Sequence, residues 1–243
     1  MCVSGYPATM KGEDINQMIE IENQHWWYAE RRYLLESLLR KYQISGSALD
    51  IGAGGGGNTQ VLIDNDLKAF ALEFTKEGVV KCQSKGIQVL QGDAREIPFA
   101  DSSFDFAMAW DVIEHIEEDY KVLTEVKRVL KPGGIFSVSV PCDMALWSKH
   151  DVELGHVRRY EKEGLSKLIS DTGFEILDLW SWNVLMKPLV KFRRKSNKVD
   201  HHAINPLINI ALRMVISLER LRIFRNLPGV SLMVICRKRN GNS

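Results

Sequence analysis

The sequence predicts an α/β fold in which a mainly parallel sheet is covered by helices on both faces. Short apolar runs alternate with helical patterns from residue 47 onward, as is typical of a doubly wound sheet. The first run is followed by a glycine-rich stretch at residues 52–57. The chain has 243 residues, 45% of them apolar, which is enough for one buried domain of this class and a modest addition.

Seven apolar runs have the length and composition of strands. They cover residues 47–51, 68–73, 87–91, 104–110, 134–140, 174–182 and 230–237. Because crossovers between parallel strands are right-handed, the glycine stretch should open at the carboxyl edge of the first strand. Doubly wound sheets bind their ligands at that edge. The sequence therefore predicts a ligand site at the glycine stretch.

Residues 14–42 are predicted to form one or two helices, because apolar residues recur there at helical spacing. Arg31 and Arg32 fall on the side away from the apolar face. The aromatic cluster at 25–28 has two interpretations, since its rings either pack in the core or enclose a substrate beside the ligand site. On the second interpretation, the candidate substrate contacts are His25, Trp26 and Trp27.

The charge of the chain is unevenly distributed. The formal net charge is +1, but residues from Ser181 onward hold 13 lysines and arginines against two acids, whereas the first 180 residues hold 19 bases and 29 acids. A basic and apolar C-terminal quarter indicates an anionic substrate, a membrane surface or a solvated basic face. The acidic remainder would repel phosphates, so a nucleic-acid substrate is not expected.

The segment between the last two predicted strands, residues 184–228, is long, basic and apolar. Its residues 204–225 have the pattern of an apolar helix with one polar stripe. The stripe consists of Asn205, Asn209, Arg213, Ser217 and Arg220. These interruptions argue against a transmembrane span, which needs about 20 apolar residues. A cap over the ligand site, a dimer face and a helix in the membrane plane remain open, and we favour the cap.

Cysteine usage and the N-terminus predict the compartment. The four cysteines form no Cys-x-x-Cys pair and no zinc-ligand spacing, which is typical of reduced thiols in a cytosolic protein. The first 20 residues lack a basic start followed by an apolar run, so no signal peptide is expected. We therefore predict a cytoplasmic protein, either free or associated with a membrane through 184–228.

The glycines alone fit two kinds of cofactor loop. Gly52-x-Gly54-x-x-Gly57 fits the dinucleotide fingerprint, and Gly52-x-Gly54-x-Gly56 fits the looser loop that binds S-adenosylmethionine. The acids around the loop separate the two readings, because a pyrophosphate gains nothing from a carboxylate beside it.

Three carboxylates favour S-adenosylmethionine. Asp50 lies two residues before Gly52, where it can accept a hydrogen bond from an ammonium group or from the loop. Glu73 closes the second predicted strand, where it can accept both ribose hydroxyls. Asp93 follows the third strand, where it can accept from an adenine amino group.

At this point four stretches, in order, resemble the class I S-adenosylmethionine-dependent methyltransferases. They are Ala48-Leu-Asp-Ile-Gly-Ala-Gly54, Gln91-Gly-Asp-Ala-Arg-Glu-Ile-Pro-Phe99, Ser103-Phe-Asp-Phe-Ala-Met-Ala-Trp-Asp-Val-Ile-Glu-His115 and Val129-Leu-Lys-Pro-Gly-Gly134. The resemblance implies a Rossmann-like, doubly wound, seven-stranded sheet whose last strand runs antiparallel. It also implies cofactor contacts by Asp50, Gly52, Gly54, Glu73, Asp93, Ala94, Trp110 and Asp111.

The chain is accordingly divided into four parts. Residues 1–46 are predicted to form an N-terminal helical lid segment, and residues 47–183 the methyltransferase core. Residues 184–228 are predicted to form a helical cap inserted before the last strand. Residues 229–243 hold that strand and a tail.

An acceptor hydroxyl benefits from a base, and the first candidate is in Asp111-Val-Ile-Glu-His115. In a helix beginning there, Asp111, Glu114 and His115 share one face. His115 is then a base, or it only positions the cofactor or a helix. This face also resembles the ion site of the ubiquinone-pathway O-methyltransferases, but nothing in the sequence fixes a coordination geometry, and no metal is expected.

The second candidate is the loop His150-Asp-Val-Glu-Leu-Gly-His-Val-Arg-Arg-Tyr160. Loops with many polar groups at the ligand edge of a sheet more often bind than merely connect. We expect His156 to be a base or substrate contact, with Tyr160 a second catalytic candidate and Arg159 a substrate contact. Alternatively, the arginines bridge to the acidic half of the chain and Tyr160 closes a pocket.

The sequence therefore predicts a methyltransferase that acts on an oxygen of a small or lipid-linked metabolite by in-line displacement. Transfer to nitrogen or carbon is an alternative. A nicotinamide-dependent oxidoreductase is disfavoured by Asp50 and by the segment Gly92-Asp93-Ala94. A protein that binds the cofactor without transfer is disfavoured by the polar loop at 150–160.

Overall fold

The computed structural model describes Glu22, residues 25–194 and residues 205–239. The beginning of the helical segment predicted over 14–42 lies outside these residues. The described part of that segment forms one helix, α1, Trp26–Lys41. His25 caps it, because its Nδ1 accepts a hydrogen bond from the Trp27 N–H at 3.2 Å.

Seven strands form one sheet. They are β1 Ser47–Ile51, β2 Lys68–Glu73, β3 Val89–Gln91, β4 Phe104–Trp110, β5 Leu130–Pro141, β6 Phe174–Trp182 and β7 Ser231–Lys238. Their order is β3-β2-β1-β4-β5-β7-β6. β7 pairs antiparallel with β5 and with β6, and the other pairings are parallel. The predicted fold class, a Rossmann-like sheet of seven strands with an antiparallel last strand, is confirmed.

In the described part of the chain, seven further helices connect or flank the strands. They are α2 Gly57–Asp64, α3 Lys76–Ser84, α4 Asp119–Val129, α5 Lys149–Glu153, α6 Lys162–Asp171, α7 Lys187–Arg194 and α8 Pro206–Ser217. α8 begins where the sequence offers an N-cap and a proline, since the Asn205 side chain accepts the Leu207 N–H at 2.9 Å. The helix predicted over 204–225 is divided, because two short 3₁₀ turns follow α8.

β4 lies at the centre of the sheet and is covered on both faces. Phe106 and Met108 pack on the side that holds α1, whereas Ala107 and Ala109 pack on the opposite side. All four side chains are fully buried. A parallel strand covered on both faces has to be apolar on both, which explains why its sequence shows no polar alternation.

The insertion at 184–228 lies at the carboxyl edge of the sheet. β6 ends at Trp182, which pairs with Ser231 at the beginning of β7, so the chain leaves and re-enters the sheet at this edge. No helix in the described ranges is long and apolar enough to cross a membrane.

The insertion packs on α1. Trp26 forms a buried cluster with Met186 and Ile216, and its backbone N–H donates to the side-chain oxygen of Asn209 at 2.8 Å. Outside this cluster, the Arg220 guanidinium makes two hydrogen bonds, of 2.8 and 3.0 Å, to the carboxylate of Glu30. The helical segments before the first strand and before the last strand are thus held together.

Candidate functional site

The glycine stretch turns the chain from β1 into α2. The Gly52 N–H donates to the Leu72 carbonyl of β2 at 2.8 Å, which attaches the turn to the sheet. Gly54 has a φ of 53°, and a Cβ placed on it would meet no atom within 4 Å. The backbone of Gly54 therefore faces open space, and a ligand can approach it directly.

Glu73 holds this loop from the end of β2. Its carboxylate accepts the Gly54 N–H at 2.8 Å on one oxygen, and the Thr75 N–H and hydroxyl at 2.8 and 2.6 Å on the other. A carboxylate oxygen has two lone-pair sites, so the oxygen bonded to Gly54 retains capacity for a further donor. The ribose contact predicted for Glu73 stays a prediction that this geometry accommodates.

Asp50 is completely buried beneath the loop. Its carboxylate accepts the Thr59 hydroxyl at 2.6 Å. Burial, together with the nearby carboxylates of Glu73 and Glu22, raises the pKa of Asp50 to about 7 against the lowering effect of the Thr59 hydrogen bond. Such a carboxyl group would ionise readily beside a bound ammonium group, which is the contact that the sequence predicts for it.

Glu22 is a residue of this site that the sequence reasoning missed. Its carboxylate accepts a hydrogen bond from the Gly57 N–H at the beginning of α2, and it lies 3.8 Å from the Lys85 ammonium group. Burial raises the pKa of Glu22, although the charge of Lys85 opposes this. The N-terminus of a helix attracts anions, and the Glu22 carboxylate occupies that position at the beginning of α2. The sequence feature that could have indicated an anion at this position is the beginning of the helix after the glycine stretch.

Asp93 and Ala94 follow β3. The guanidinium and the backbone N–H of Arg95 donate to the Asp93 carboxylate, which holds the pKa of Asp93 below its ordinary value although burial opposes this. Ala94 is buried in the core with Ile97. The adenine contact predicted for Asp93 stays a prediction, made for a carboxylate that already accepts hydrogen bonds from Arg95.

Arg31 corrects one sequence expectation, because it is buried instead of lying on the outer face of its helix. Its guanidinium lies 2.6 Å from the Asp111 carboxylate and stacks on Trp27 and Trp110, with centroid distances of 4.3 and 4.8 Å. Only 3% of it is exposed. An ion pair and two aromatic faces replace the water that would otherwise surround the guanidinium. The spacing of apolar residues along the helix does not reveal these contacts.

Trp110 and Asp111 end β4 close to this arginine. The Trp110 indole N–H donates to the Ser137 hydroxyl at 2.8 Å. Asp111 has a φ of 59°, and its carboxylate points to Arg31. α1 therefore supports the end of β4, where the resemblance implies a cofactor contact.

The segment at 111–115 does not form the helix that would place Asp111, Glu114 and His115 on one face. Only a 3₁₀ turn is present, Ile113–His115, and Asp111 is turned away to Arg31. Glu114 is fully buried, and neither carboxylate oxygen has a hydrogen-bond partner. The His115 ring instead meets the His156 ring, with centroids 4.8 Å apart.

The loop at 150–160 is organised around Asp151, which is fully buried. Its carboxylate lies 3.0 Å from His156 Nδ1 and accepts hydrogen bonds from Arg159 at 2.7 to 2.8 Å and from Arg194 of α7 at 2.7 Å. Burial would raise the pKa of Asp151, but these hydrogen bonds and charges hold it well below its ordinary value. The sequence singled out the loop without identifying this residue as its centre.

Arg159 and Tyr160 lie in the interior. Arg159 donates to Asp151 and to the Cys142 carbonyl at 2.8 Å, and only 5% of it is exposed. The Tyr160 hydroxyl donates to the Asp119 carboxylate at 2.8 Å, and burial raises its pKa. Both are occupied in holding the loop in place, and the roles predicted for Arg159 and Tyr160 stay predictions. His115 and His156 are the remaining candidate groups for the acceptor.

The aromatic cluster at 25–28 is divided between packing and capping. Trp26 packs under the insertion, and His25 caps α1. Trp27 lies against Trp182 and Tyr28, with ring centroids 5.9 and 4.8 Å apart. The substrate contacts predicted for His25, Trp26 and Trp27 stay predictions.

The sheet order, the glycine loop and the acids around it define a Rossmann-like methyltransferase fold. Residues 49–138 match the family model described as a methyltransferase domain. The matched residues have the features of the class I S-adenosylmethionine-dependent methyltransferase superfamily. The predicted superfamily and its methyl donor, S-adenosyl-L-methionine, are thereby confirmed.

Relatives with curated names agree with this. The chain is 25% identical over 162 residues to a "Probable S-adenosylmethionine-dependent methyltransferase" of Mycolicibacterium smegmatis, covering 65% of this chain and 63% of that protein. It is 29% identical to the O-methyltransferase resE of Aspergillus sclerotiorum, over 68% of this chain and 69% of that one. It is 35% identical to a "phthiotriol/phenolphthiotriol dimycocerosates methyltransferase 2" of Mycobacterium ulcerans, over 41% and 42%. The chain thus spans less than two thirds of the first relative's length.

Solved structures show the same fold. An S-adenosylmethionine-dependent methyltransferase of Archaeoglobus fulgidus matches with a TM-score of 0.58 and 17% identity, over 85% of this chain and 94% of that one. The [4+2]-cyclase SpnF matches with a TM-score of 0.64 and 19% identity, over 98% of this chain and 100% of that one. Because proteins named for different reactions share the fold, the reaction has to be argued from the site.

Proposed function

We propose that the chain transfers the methyl group of S-adenosylmethionine to a hydroxyl oxygen of a small or lipid-linked metabolite. The observation that carries the proposal is the pair of imidazoles from His115 and His156 at the carboxyl edge of the sheet, 4.8 Å apart. Asp151 accepts at Nδ1 of His156, so the Nε2 atom of that ring is the one able to take up a proton. A hydroxyl acceptor is the kind that benefits from such a group.

The chain's contribution to transfer is mainly positional. The methyl group of S-adenosylmethionine is bonded to a sulfonium sulfur and is therefore already activated. Asp50, Glu73 and the backbone of Gly54 are placed to hold the amino-acid and ribose parts of the cofactor. Asp111, fixed by Arg31, is available for the cofactor contact that the resemblance implies. Alignment of acceptor, methyl carbon and sulfur supplies much of the rate.

The surface of the insertion supports an amphipathic acceptor and a peripheral membrane contact. Of the 17 large hydrophobic side chains exposed in the described part of the chain, eleven lie within residues 189–227. Phe192, Leu207 and Ile223 are 74%, 77% and 73% exposed. The exposed Lys191 and Arg193 flank Phe192 in the sequence, and this combination suits an anionic lipid surface or a lipid-linked acceptor.

Two relatives point in the same direction. One is named as an O-methyltransferase, and another is named for dimycocerosates, which are lipids.

We also propose the four-part division, with the lid at 1–46, the core at 47–183, the cap at 184–228 and the last strand and tail at 229–243. The contacts of α1 with Met186 and Ile216 support a joint cover formed by the lid and the cap.

A screen of acceptors with the purified protein tests the proposal, with S-adenosylhomocysteine as the readout. Hydroxylated amphipathic compounds should be turned over, and the methylated product should show a methyl ether in its NMR spectrum. Amine analogues of the same skeleton serve as the matched comparison. Turnover of the amines with none of the hydroxyl compounds would reject O-methylation.

A further inference from the structure

A carboxyl group and two imidazoles meet in one cluster, named here the 114/115/156 cluster, which consists of Glu114, His115 and His156. A single proton-accepting base would not require all three groups. One potential ligand atom from each residue lies within 4.8 Å of the others. Glu114 is 0% exposed, and both its oxygens lack a hydrogen-bond partner. A buried carboxyl group without a partner costs free energy, so a missing positive or donating group is expected beside it.

Each of the two histidines has one ring nitrogen close to a hydrogen-bond acceptor. His115 Nδ1 lies 3.3 Å from the Gly155 carbonyl, and His156 Nδ1 lies 3.0 Å from an Asp151 oxygen. A carbonyl oxygen only accepts, and Asp151 is held in its ionised form, so each Nδ1 carries the proton. Each Nε2 therefore keeps its lone pair.

We propose that the 114/115/156 cluster binds a divalent transition-metal ion of the Zn²⁺ type. Two imidazoles and one carboxylate are a ligand set that such ions take in open, three-ligand sites. The hydrogen bonds from the two Nδ1 atoms to Gly155 and Asp151 are the outer contacts that orient metal-binding histidines. Asp111 is not part of this set, because it pairs with Arg31, so the site differs from the face considered from the sequence.

The consequence for the reaction, but not the binding itself, rests on the proposed function. Three protein ligands leave a fourth position, which a hydroxyl oxygen of the acceptor can take. A bound cation lowers the pKa of that hydroxyl, so its O–H bond breaks with the proton passing to solvent while the electron pair stays on oxygen. The histidines then hold the ion instead of taking the proton themselves.

The test is a titration of the chelator-treated protein with Zn²⁺ alone, without cofactor or acceptor, followed by calorimetry. One equivalent should bind, whereas Mg²⁺, which prefers oxygen ligands, should not bind at the same concentration. Co²⁺ should give visible absorption bands of a site with nitrogen ligands. Glu114→Gln and His156→Gln should each weaken Zn²⁺ binding at least about tenfold, and Asp151→Asn should weaken it about 10–100-fold.

Glu117→Gln is the matched control, since it removes an exposed carboxylate three positions after Glu114. It should bind Zn²⁺ as the unchanged protein does. No uptake by the unchanged protein, or equal uptake by the Glu114→Gln and His156→Gln variants in their folded state, overturns the proposal. Metal uptake without O-methyl turnover would reject only the proposed function, and O-methyl turnover without metal uptake would reject only the metal site.

Discussion

Asp50 is the residue whose ionisation should control cofactor affinity. With a pKa of about 7 it is largely protonated at pH 6, whereas an ammonium ligand needs the ionised form. Cofactor binding should therefore strengthen about tenfold from pH 6 to pH 8 and release close to one proton. Calorimetry with S-adenosylhomocysteine in buffers of different ionisation enthalpy measures both quantities.

Asp50→Asn should flatten this pH profile. It should also weaken binding by roughly 1.5–3 kcal/mol, the value of a hydrogen bond to a charged group. Asp64→Asn, which changes an exposed acid at the end of α2, is the control and should leave the profile as it is. A pH-independent affinity in the unchanged protein would contradict the assignment of Asp50 to the ammonium group.

His156 and Tyr160 should respond differently to substitution, although they lie four residues apart. His156→Ala should lower kcat strongly with little change in S-adenosylhomocysteine affinity. Tyr160→Phe removes one hydrogen bond to Asp119, which Arg158 also contacts, so the free energy of unfolding should fall by about 0.5–1.5 kcal/mol while kcat changes little. Single-turnover kinetics and urea unfolding separate the two. A larger kcat loss in Tyr160→Phe than in His156→Ala would reverse these roles.

At the scale of elements, the contact between α1 and the insertion depends on the pair of Glu30 and Arg220. Glu30 is 5% exposed, so Arg220→Met would leave a buried carboxylate without its partner. The free energy of unfolding should then fall by about 1–2 kcal/mol, less than for a fully buried pair, because Glu30 is buried while Arg220 is 39% exposed and solvent screens its charge. Urea unfolding measures this value, and a double-mutant cycle with Glu30→Gln isolates the pair.

The exposed pair of Glu36 and Arg40 on the same helix is the comparison. Glu36→Gln should change stability by less than about 0.5 kcal/mol, because solvent screens that pair. Equal effects for the two pairs would mean that the Glu30 contact does not hold the insertion on α1.

The strands could be predicted from the sequence because burial on both faces requires a run of mainly apolar residues that are neighbours in the chain. The run at 104–110 is apolar except for Asp105 and forms the central strand β4, whereas β5 begins four residues before the predicted limit. The limit was missed because the segment before Ile135, rich in glycine and proline, indicates a turn, yet it continues the strand along β4.

The cofactor loop could be predicted for the same reason, since the glycines and the following helix are neighbours in sequence. Contacts between distant segments could not. Arg31 is separated from Asp111 by eighty positions, and Arg194 of α7 reaches Asp151 from the insertion. No periodicity or spacing records such pairs, so the buried arginine and the centre of the 150–160 loop became visible only in three dimensions.

For the whole molecule, the uneven charge and the exposed apolar surface predict a membrane contact that depends on lipid charge. The protein should sediment with vesicles that contain anionic lipid and less with neutral vesicles, and added salt should weaken this binding. Phe192→Ser and Leu207→Ser should each reduce it, since each side chain is more than 70% exposed. Flotation or sedimentation with liposomes measures the bound fraction.

Val80→Ser is the control for these two variants, because Val80 is 55% exposed on α3, outside the insertion. It should bind vesicles as the unchanged protein does. Vesicle binding that does not depend on lipid charge would contradict a contact through the insertion. An equal loss of binding in all three variants would also contradict it.

The burial of Arg31 also gives the molecule an optical reporter. Three of its six tryptophans, Trp27, Trp110 and Trp182, lie around that one guanidinium, at 4.3, 4.8 and 5.9 Å from their ring centroids. Because indole emission responds to nearby charge and to water, a ligand that displaces Asp111 or Arg31 changes the light emitted from this group. Cofactor arrival and departure can then be followed by stopped-flow fluorescence, without a label and without knowledge of the acceptor.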